Sequence, residues 1–352
     1  MNLAVCCPST GLHEEAVQSW VNRAHRPWVG AEPRFDHQCR EEEKPNVRTV
    51  EWDSFSITVD DTIEGIGAGY LHKVEKFYRE STADVLAYLH SDLFIHSHGW
   101  DEMVLREFET CEVCGRPEFE HAALYPNIEA RICDNFTNRV AIVSFCGARR
   151  HGHPDIYKAP YDYRQLARFE FISNLVDAEK HGQRVLKPQD VAVVDSFSLI
   201  VRRSFLDLIR GWPINHECHI YDDLWEPCRC CGYHCRVCNQ RWYRAGIKPG
   251  TEIGEILQRD AHYACEGFPV RPTYHPSHCS DYWLCLMAHR HKMRIRYVPV
   301  SCTHNSGGVR GDGRFDYAKW QEWYGFTDAQ MHQINHRLLY DEFRDVLPVR
   351  IP

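Results

Sequence analysis

Residues 86–101 read LAYLHSDLFIHSHGWD. An apolar run stops at His90-Ser91-Asp92, resumes through Leu93-Phe94-Ile95, and reaches a Gly99-Trp100-Asp101 turn. A carboxylate at the end of a buried strand is costly unless something positive meets it there. A metal ion, an arginine or a helix end can serve, and the rest of the chain has to supply it.

Upstream, residues 3–7 form a short apolar run ending at Pro8-Ser9-Thr10-Gly11. The stretch EEAVQSWVNR (14–23) then carries Ala16, Val17, Trp20 and Val21 at helical spacing. Strand, loop and helix in that order open an α/β domain. Segments 47–52, 55–59 and 85–89 read as strands, and 70–79 as a helix after a glycine-rich turn at 65–69. Downstream, 140–145, 191–194 and 295–300 read as strands, 196–201 as a further apolar segment and 284–291 as a helix. This alternation predicts a mostly parallel sheet, whose ligands sit at the carboxyl ends of the strands. Asp92 falls at such an end. Residues 317–343 are amphipathic and aromatic, which predicts helices packing back on the body.

The chain has 352 residues, a formal net charge of −8, 43% hydrophobic and 12% aromatic residues. That composition suits a globular core and argues against a general electrostatic grip on nucleic acid. No stretch approaches the roughly 20 apolar residues of a membrane span, and MNLAVCCPSTGLHEE lacks the features of a signal peptide. A cytoplasmic protein is the expectation.

Cysteine is unusual, at 17 residues alongside 22 histidines. In a reducing compartment, closely spaced Cys and His bind zinc more often than they form disulfides. Cys228-Arg229-Cys230-Cys231 and Cys235-Arg236-Val237-Cys238 give two CxxC knuckles, with Cys265, His278 or Cys279 as completing ligands. Cys111-Glu112-Val113-Cys114 with His121 is a second candidate, completed by Cys133 or Cys39. Both sets read as structural zinc sites in insertions spanning 109–134 and 226–279. Cys6, Cys7, Cys146, Cys285 and Cys302 sit in apolar runs and read as core residues.

Four features stand in order along the chain: the strand ending in Pro8-Ser9, the strand ending in His90-Ser91-Asp92, VAVVDSFSLIVRRSFLDLIRGWP (191–213), and SDYWLCLMAHRHKMRIRYVPVSCTHNSGG (280–308). Together they resemble the inverting, family-two type of nucleotide-sugar glycosyltransferase with a GT-A (Rossmann-like) fold, over roughly residues 1–310. FCGARRHGHPDIYKAPYDYRQLAR (145–168) is similar to phage and bacterial versions.

The resemblance implies a GT-A domain at 1–316, a mixed, mostly parallel sheet flanked by helices, and a helical tail at 317–352. It implies a hexosyltransferase-like enzyme that moves a sugar from a nucleotide-diphosphate donor to a hydroxyl on protein, glycan or modified DNA. A bacterial or phage-infected cell would be its setting.

In that family an Asp-X-Asp motif ends the central strand and holds a divalent metal against the donor diphosphate. Here the triplet is His90-Ser91-Asp92, so only the last position keeps its carboxylate. The resemblance implies Mn²⁺ or Mg²⁺ held by Asp92 and by His304 of VSCTHNSGG, with the donor completing the shell. It implies donor contacts from Pro8, Ser9, Thr10, Gly67, His90, Ser91 and Asp195, and a pocket lined near Arg202-Arg203. The catalytic base falls on Asp281, with Asp222 of HIYD (219–222) as its rival. Taken singly, Asp92 reads as a turn residue, His304 as a structural histidine and Asp281 as a helix cap. The alternative function is a zinc-knuckle module on a degenerate transferase scaffold, recognising nucleic acid or a protein partner.

Overall fold

The structure is a computed structural model describing residues 1–6, 14–24, 47–52, 55–60, 74, 77–79, 81–90, 92–117, 137–152, 170–176, 182–212, 279–304, 336, 339–340 and 342–352. Its strands in chain order are β1 (Leu3–Cys6), β2 (Val47–Trp52), β3 (Phe55–Asp60), β4 (Val85–Leu89), β5 (Leu93–Ile95), β6 (Val140–Ser144), β7 (Cys146–Ala148) and β8 (Arg150–His151). They continue as β9 (Phe171–Ser173), β10 (Gln183–Arg184), β11 (Gln189–Asp190), β12 (Val193–Val194), β13 (Ser198–Arg202), β14 (Arg294–Tyr297), β15 (Cys302–His304) and β16 (Val349–Arg350). Among the described residues, helices run over α1 (Glu14–Arg23), α2 (Trp100–Glu109), α3 (Arg203–Ile209) and α4 (Ser280–Arg290).

Six strands form the central sheet in the order β1-β4-β13-β6-β14-β11. β1 runs parallel to β4 (Cys6 opposite Tyr88), and β14 runs parallel to β6 (Tyr297 opposite Ser144). β13 lies antiparallel between β4 and β6, and β11 is antiparallel to β14. The sheet is therefore mixed, with β1, β4, β6 and β14 pointing one way. The chain enters β13 at the carboxyl end of its neighbours, through a turn at Asp195-Ser196-Phe197. No crossover returns it to the amino end, so β13 runs against them.

Period-two alternation divides each central strand between two cores. Ala4, Cys6, Leu86, Tyr88, Leu199 and Val201 face one side, where they meet α3, α4 and the C-terminal residues Leu339, Tyr340 and Phe343. Leu3, Val5, Val85, Ala87, Leu89 and Ile200 face the other, against Trp20 of α1 and Val104, Leu105 and Phe108 of α2. Burial on both faces is why these strands read as continuous apolar runs. β2 and β3 form a separate antiparallel hairpin, and β10-β9-β7-β12 a second sheet beside the first.

The Gly-Trp-Asp turn has a definite task. Gly99 takes the left-handed conformation (φ 68°) that starts α2, and its N–H donates to the Arg23 carbonyl. Trp100 is fully buried and donates its indole N–H to the Trp20 carbonyl at 2.9 Å. Trp20 in turn donates to the Leu93 carbonyl at 2.6 Å. Two indoles thus lock α1, α2 and β5 together directly after Asp92. At the other end of the chain, Trp283 donates to Glu342, and Arg290 pairs with Asp345 at 2.6 Å while lying over the Phe343 ring.

The proposed insertion at 226–279 lies outside the described residues except for Cys279, as does most of the segment 317–343. No helix among the described residues is long and apolar enough to cross a membrane. Trp100→Ala is expected to cost about 3–5 kcal/mol, because it removes a large buried ring and leaves the Trp20 carbonyl without its donor. Urea unfolding of wild type and variant measures this, and a cost under about 1 kcal/mol would contradict the indole lock.

Candidate metal centre and acid site

Four backbone paths end at the carboxyl edge of the parallel strands. β4 delivers His90 and Asp92 just past Leu89. The loop after β14 turns into β15, which pairs antiparallel with β5 so that His304 lies opposite Leu93, next to Asp92. That short ladder is held by His96 N–H to the Ser301 carbonyl at 2.8 Å and His96 Nε2 to Thr303 Oγ1 at 2.8 Å. The turn before β13 brings Asp195, and the amino end of α4 brings Asp281.

The ligand atoms of His90, Asp92 and His304 lie within 4.8 Å of one another, a group that can hold a metal ion. Asp92 and His304 are buried, and His90 is half-buried. His304 Nε2 stands 3.3 Å from Asp92 Oδ1. The Phe197 ring stacks on the His304 imidazole at 4.5 Å and 17°, fixing its plane. The backbone N–H of His90 donates to the Phe197 carbonyl at 3.0 Å, so one turn orients both histidines. The Asp195 carboxylate holds that turn by accepting the Phe197 N–H at 3.3 Å.

The electrostatics suit a cation. Burial would raise Asp92, but its hydrogen bond and charge contact with His304, then the charge of His90, outweigh burial and hold it below the ordinary aspartate range. Burial lowers His90, His304 lowers it further, and Asp92 and Asp195 only partly oppose this. An ionised carboxylate beside a neutral imidazole is the protonation state that metal ligands need. Two imidazoles and one carboxylate suit Mn²⁺ and its transition-metal neighbours better than Mg²⁺, which prefers an all-oxygen shell.

Asp281 occupies the same end of the sheet. It sits in the first turn of α4, two residues after the N-cap residue Cys279, and its Oδ1 accepts the Tyr282 N–H at 2.9 Å. Burial pushes its carboxyl up to about 8, with the charge of Asp195 adding to this; the N–H groups of Tyr282 and Ser196 act against it. Asp195 is therefore sensed by His90 on one side and Asp281 on the other. A buried acid with a raised pKa near a metal group is the arrangement used to move a proton.

The described residues bring together His90, Asp92, Asp195, Asp281 and His304. His90 was expected only at the donor, and the structure adds it to the metal group. The signal for this lay in the sequence, because His-X-Asp puts both side chains on one side of an extended chain. Arg202 and Arg203 do not line this end. Arg202 pairs opposite Val85 at the far end of β4 and donates to the Val140 and Phe108 carbonyls, both at 2.9 Å. Arg203 donates to the Tyr78 and Ser81 carbonyls there.

Pro8, Ser9, Thr10, Gly67, Ser91 and the rival base Asp222 lie outside the described residues, as do His121, Cys228, Cys231, Cys235 and Cys238. Cys6, Cys146, Cys285 and Cys302 are buried as expected; Cys7 is outside the described residues. Cys111 is buried. Burial raises its thiol, but the N–H groups of Thr137, Cys114 and Val113 outweigh this and bring it down to about 6.

Comparison of the chain with models of known protein families and with curated proteins gives no match.

Asp281 also links stability to pH. Its folded pKa is raised above the unfolded value of 3.8, so the folded state holds more protons between 3.8 and about 8. Stability therefore falls as pH rises through that window. Asp281→Asn removes the dependence, and its melting temperature should exceed that of wild type by a margin that widens toward pH 8 and then levels. A margin that stays flat with pH would contradict the raised acid.

Proposed function

We propose that this chain is a divalent-metal-dependent, inverting glycosyltransferase with a GT-A-like core. It would take a nucleotide-diphosphate sugar as donor and a hydroxyl as acceptor. One observation carries the proposal: the buried His90-Asp92-His304 group closes the carboxyl end of the central strand, where the sequence resemblance puts the donor diphosphate. A divalent cation bound there would neutralise the charge that develops on the departing diphosphate.

The chain's own residues supply the rest. Asp92 and the two histidines hold the cation, with Phe197 and Asp195 fixing their orientation. Asp281 takes the proton from the acceptor hydroxyl as the new bond to the sugar carbon forms opposite the leaving group. Its burial suits this role, since a carboxylate desolvated by burial is a stronger base than one in water. The acceptor class stays broad: protein, glycan or modified DNA. Mn²⁺ is the favoured cation on the grounds of the two imidazoles.

Two histidines and one carboxylate also hold Fe²⁺ in oxygenases, and that donor set supports a second reading as a redox iron site. Donor turnover separates the two. With Mn²⁺ under anaerobic conditions, a panel of nucleotide sugars should release nucleoside diphosphate for at least one donor. No release with any donor, together with oxygen consumption by the Fe²⁺ form, would favour the second reading.

Asp92→Ala and His304→Ala should each abolish Mn²⁺ binding in calorimetry and lower turnover at least about 10²-fold. Turnover unchanged in Asp92→Ala would overturn the metal assignment. Asp281→Asn should lower kcat about 10²–10⁴-fold while leaving Mn²⁺ binding intact. In wild type, kcat/KM should rise with pH toward about 8, the value at which free Asp281 loses its proton. A rate that falls across that range would remove Asp281 as the base.

A further inference from the structure

We infer that Cys111 and Cys114 form a preorganised thiolate pair that binds zinc at the amino end of the central sheet, apart from the His90-Asp92-His304 group. The pair lies in the stretch Thr110-Cys111-Glu112-Val113-Cys114-Gly115-Arg116-Pro117, which folds into a tight knuckle. Thr110 and Pro117 bridge its base in antiparallel fashion, and Cys111 N–H donates to the Arg116 carbonyl at 2.7 Å. Gly115 N–H returns to the Cys111 carbonyl at 2.9 Å. Gly115 has φ +68°, a conformation that glycine adopts without penalty.

Three backbone N–H groups converge on the Cys111 sulfur. Two belong to the knuckle itself, Val113 and Cys114. The third comes from Thr137, at 3.5 Å across the chain. N–H donors gathered on one sulfur stabilise it when it carries negative charge. The Cys114 thiol donates a hydrogen bond to the same sulfur and is itself half-exposed. Soft thiolates two residues apart on one turn offer two corners of a tetrahedral zinc shell. Cys39, His121 and Cys133, the completing ligands suggested by sequence, lie outside the described residues.

The surroundings tie this knuckle to the sheet. Glu112 N–H donates to the Thr137 carbonyl at 2.7 Å, and its carboxylate accepts from Arg139 Nε at 3.0 Å and faces Arg294 at 3.7 Å. Asn138 donates to the carbonyls of Glu107 and Thr110, both at 2.7 Å, closing the end of α2 onto the start of β6. Arg139 precedes β6 and Arg294 opens β14, so the knuckle clamps the amino edge. The His90-Asp92-His304 group is at the carboxyl edge. Zinc here is a brace for the fold and takes no part in transfer.

The full-length chain purified with zinc present tests this in two ways. Zinc content by elemental analysis should fall by one equivalent in Cys114→Ser relative to wild type. Alkylation of wild type followed by peptide mapping should show Cys114 protected until a chelator is added, with protection restored by Zn²⁺ and not by Mg²⁺. The mapping uses native protein, so it stands even if the variant fails to fold. Equal zinc in wild type and Cys114→Ser, alkylation of Cys114 at one rate with and without chelator, or a Cys111–Cys114 disulfide in the purified protein would each overturn the inference.

Discussion

A buried carboxylate facing two imidazoles governs this structure. Asp92 sits at the end of an apolar strand covered on both faces, where an uncompensated negative charge would be expensive. His304 stands 3.3 Å away, and His90 shares the same small space. Placing that group requires β4, the β5–β15 ladder and the turn before β13 to meet at one edge. The indole bonds from Trp100 to Trp20 and from Trp20 to Leu93 hold β5 where His304 can reach Asp92.

The antiparallel course of β13 is part of the same arrangement. Because β13 starts at the edge where β4 ends, its entry turn falls beside the metal group instead of at the far side of the sheet. Asp195 closes that turn, Phe197 stacks on His304, and Ser196 donates to Asp281. Three successive residues of one turn therefore connect the metal group to the buried acid. A strand arriving by a parallel crossover would have put those side chains at the other end.

The two edges of the sheet pair their charges differently. The carboxyl edge holds the histidines and buried acids, with few compensating cations among the described residues. The amino edge carries Arg139, Arg202, Arg203 and Arg294, each bonded to carbonyls or carboxylates. Those arginines fasten helix ends and strand starts, which is why Arg202 and Arg203 belong to the scaffold. The edge where a carboxylate faces two imidazoles suits a divalent cation with nitrogen and oxygen ligands, and the cysteine knuckle belongs to the braced, opposite edge.

Local pattern was enough to locate most elements. The apolar runs became β1, β4, β6 and β13, and the helical spacing of Ala16 and Trp20 became α1, because burial on two faces and on one stripe leaves distinct periods in a sequence. The strand-end position of Asp92 was legible for the same reason. Strand direction was not, since apolar period is identical in parallel and antiparallel strands. That hid the course of β13, which carries Arg202 and Arg203 to the amino edge, away from the pocket that the resemblance implied for them. The company of His90 was also hidden, because metal groups are assembled across long sequence separations and 214 positions divide His90 from His304. The sequence by itself determined which segments are buried and which strand ends in a charge. Only the tertiary structure decided what that charge faces, because pairing register and strand direction, not composition, bring distant side chains within bonding distance.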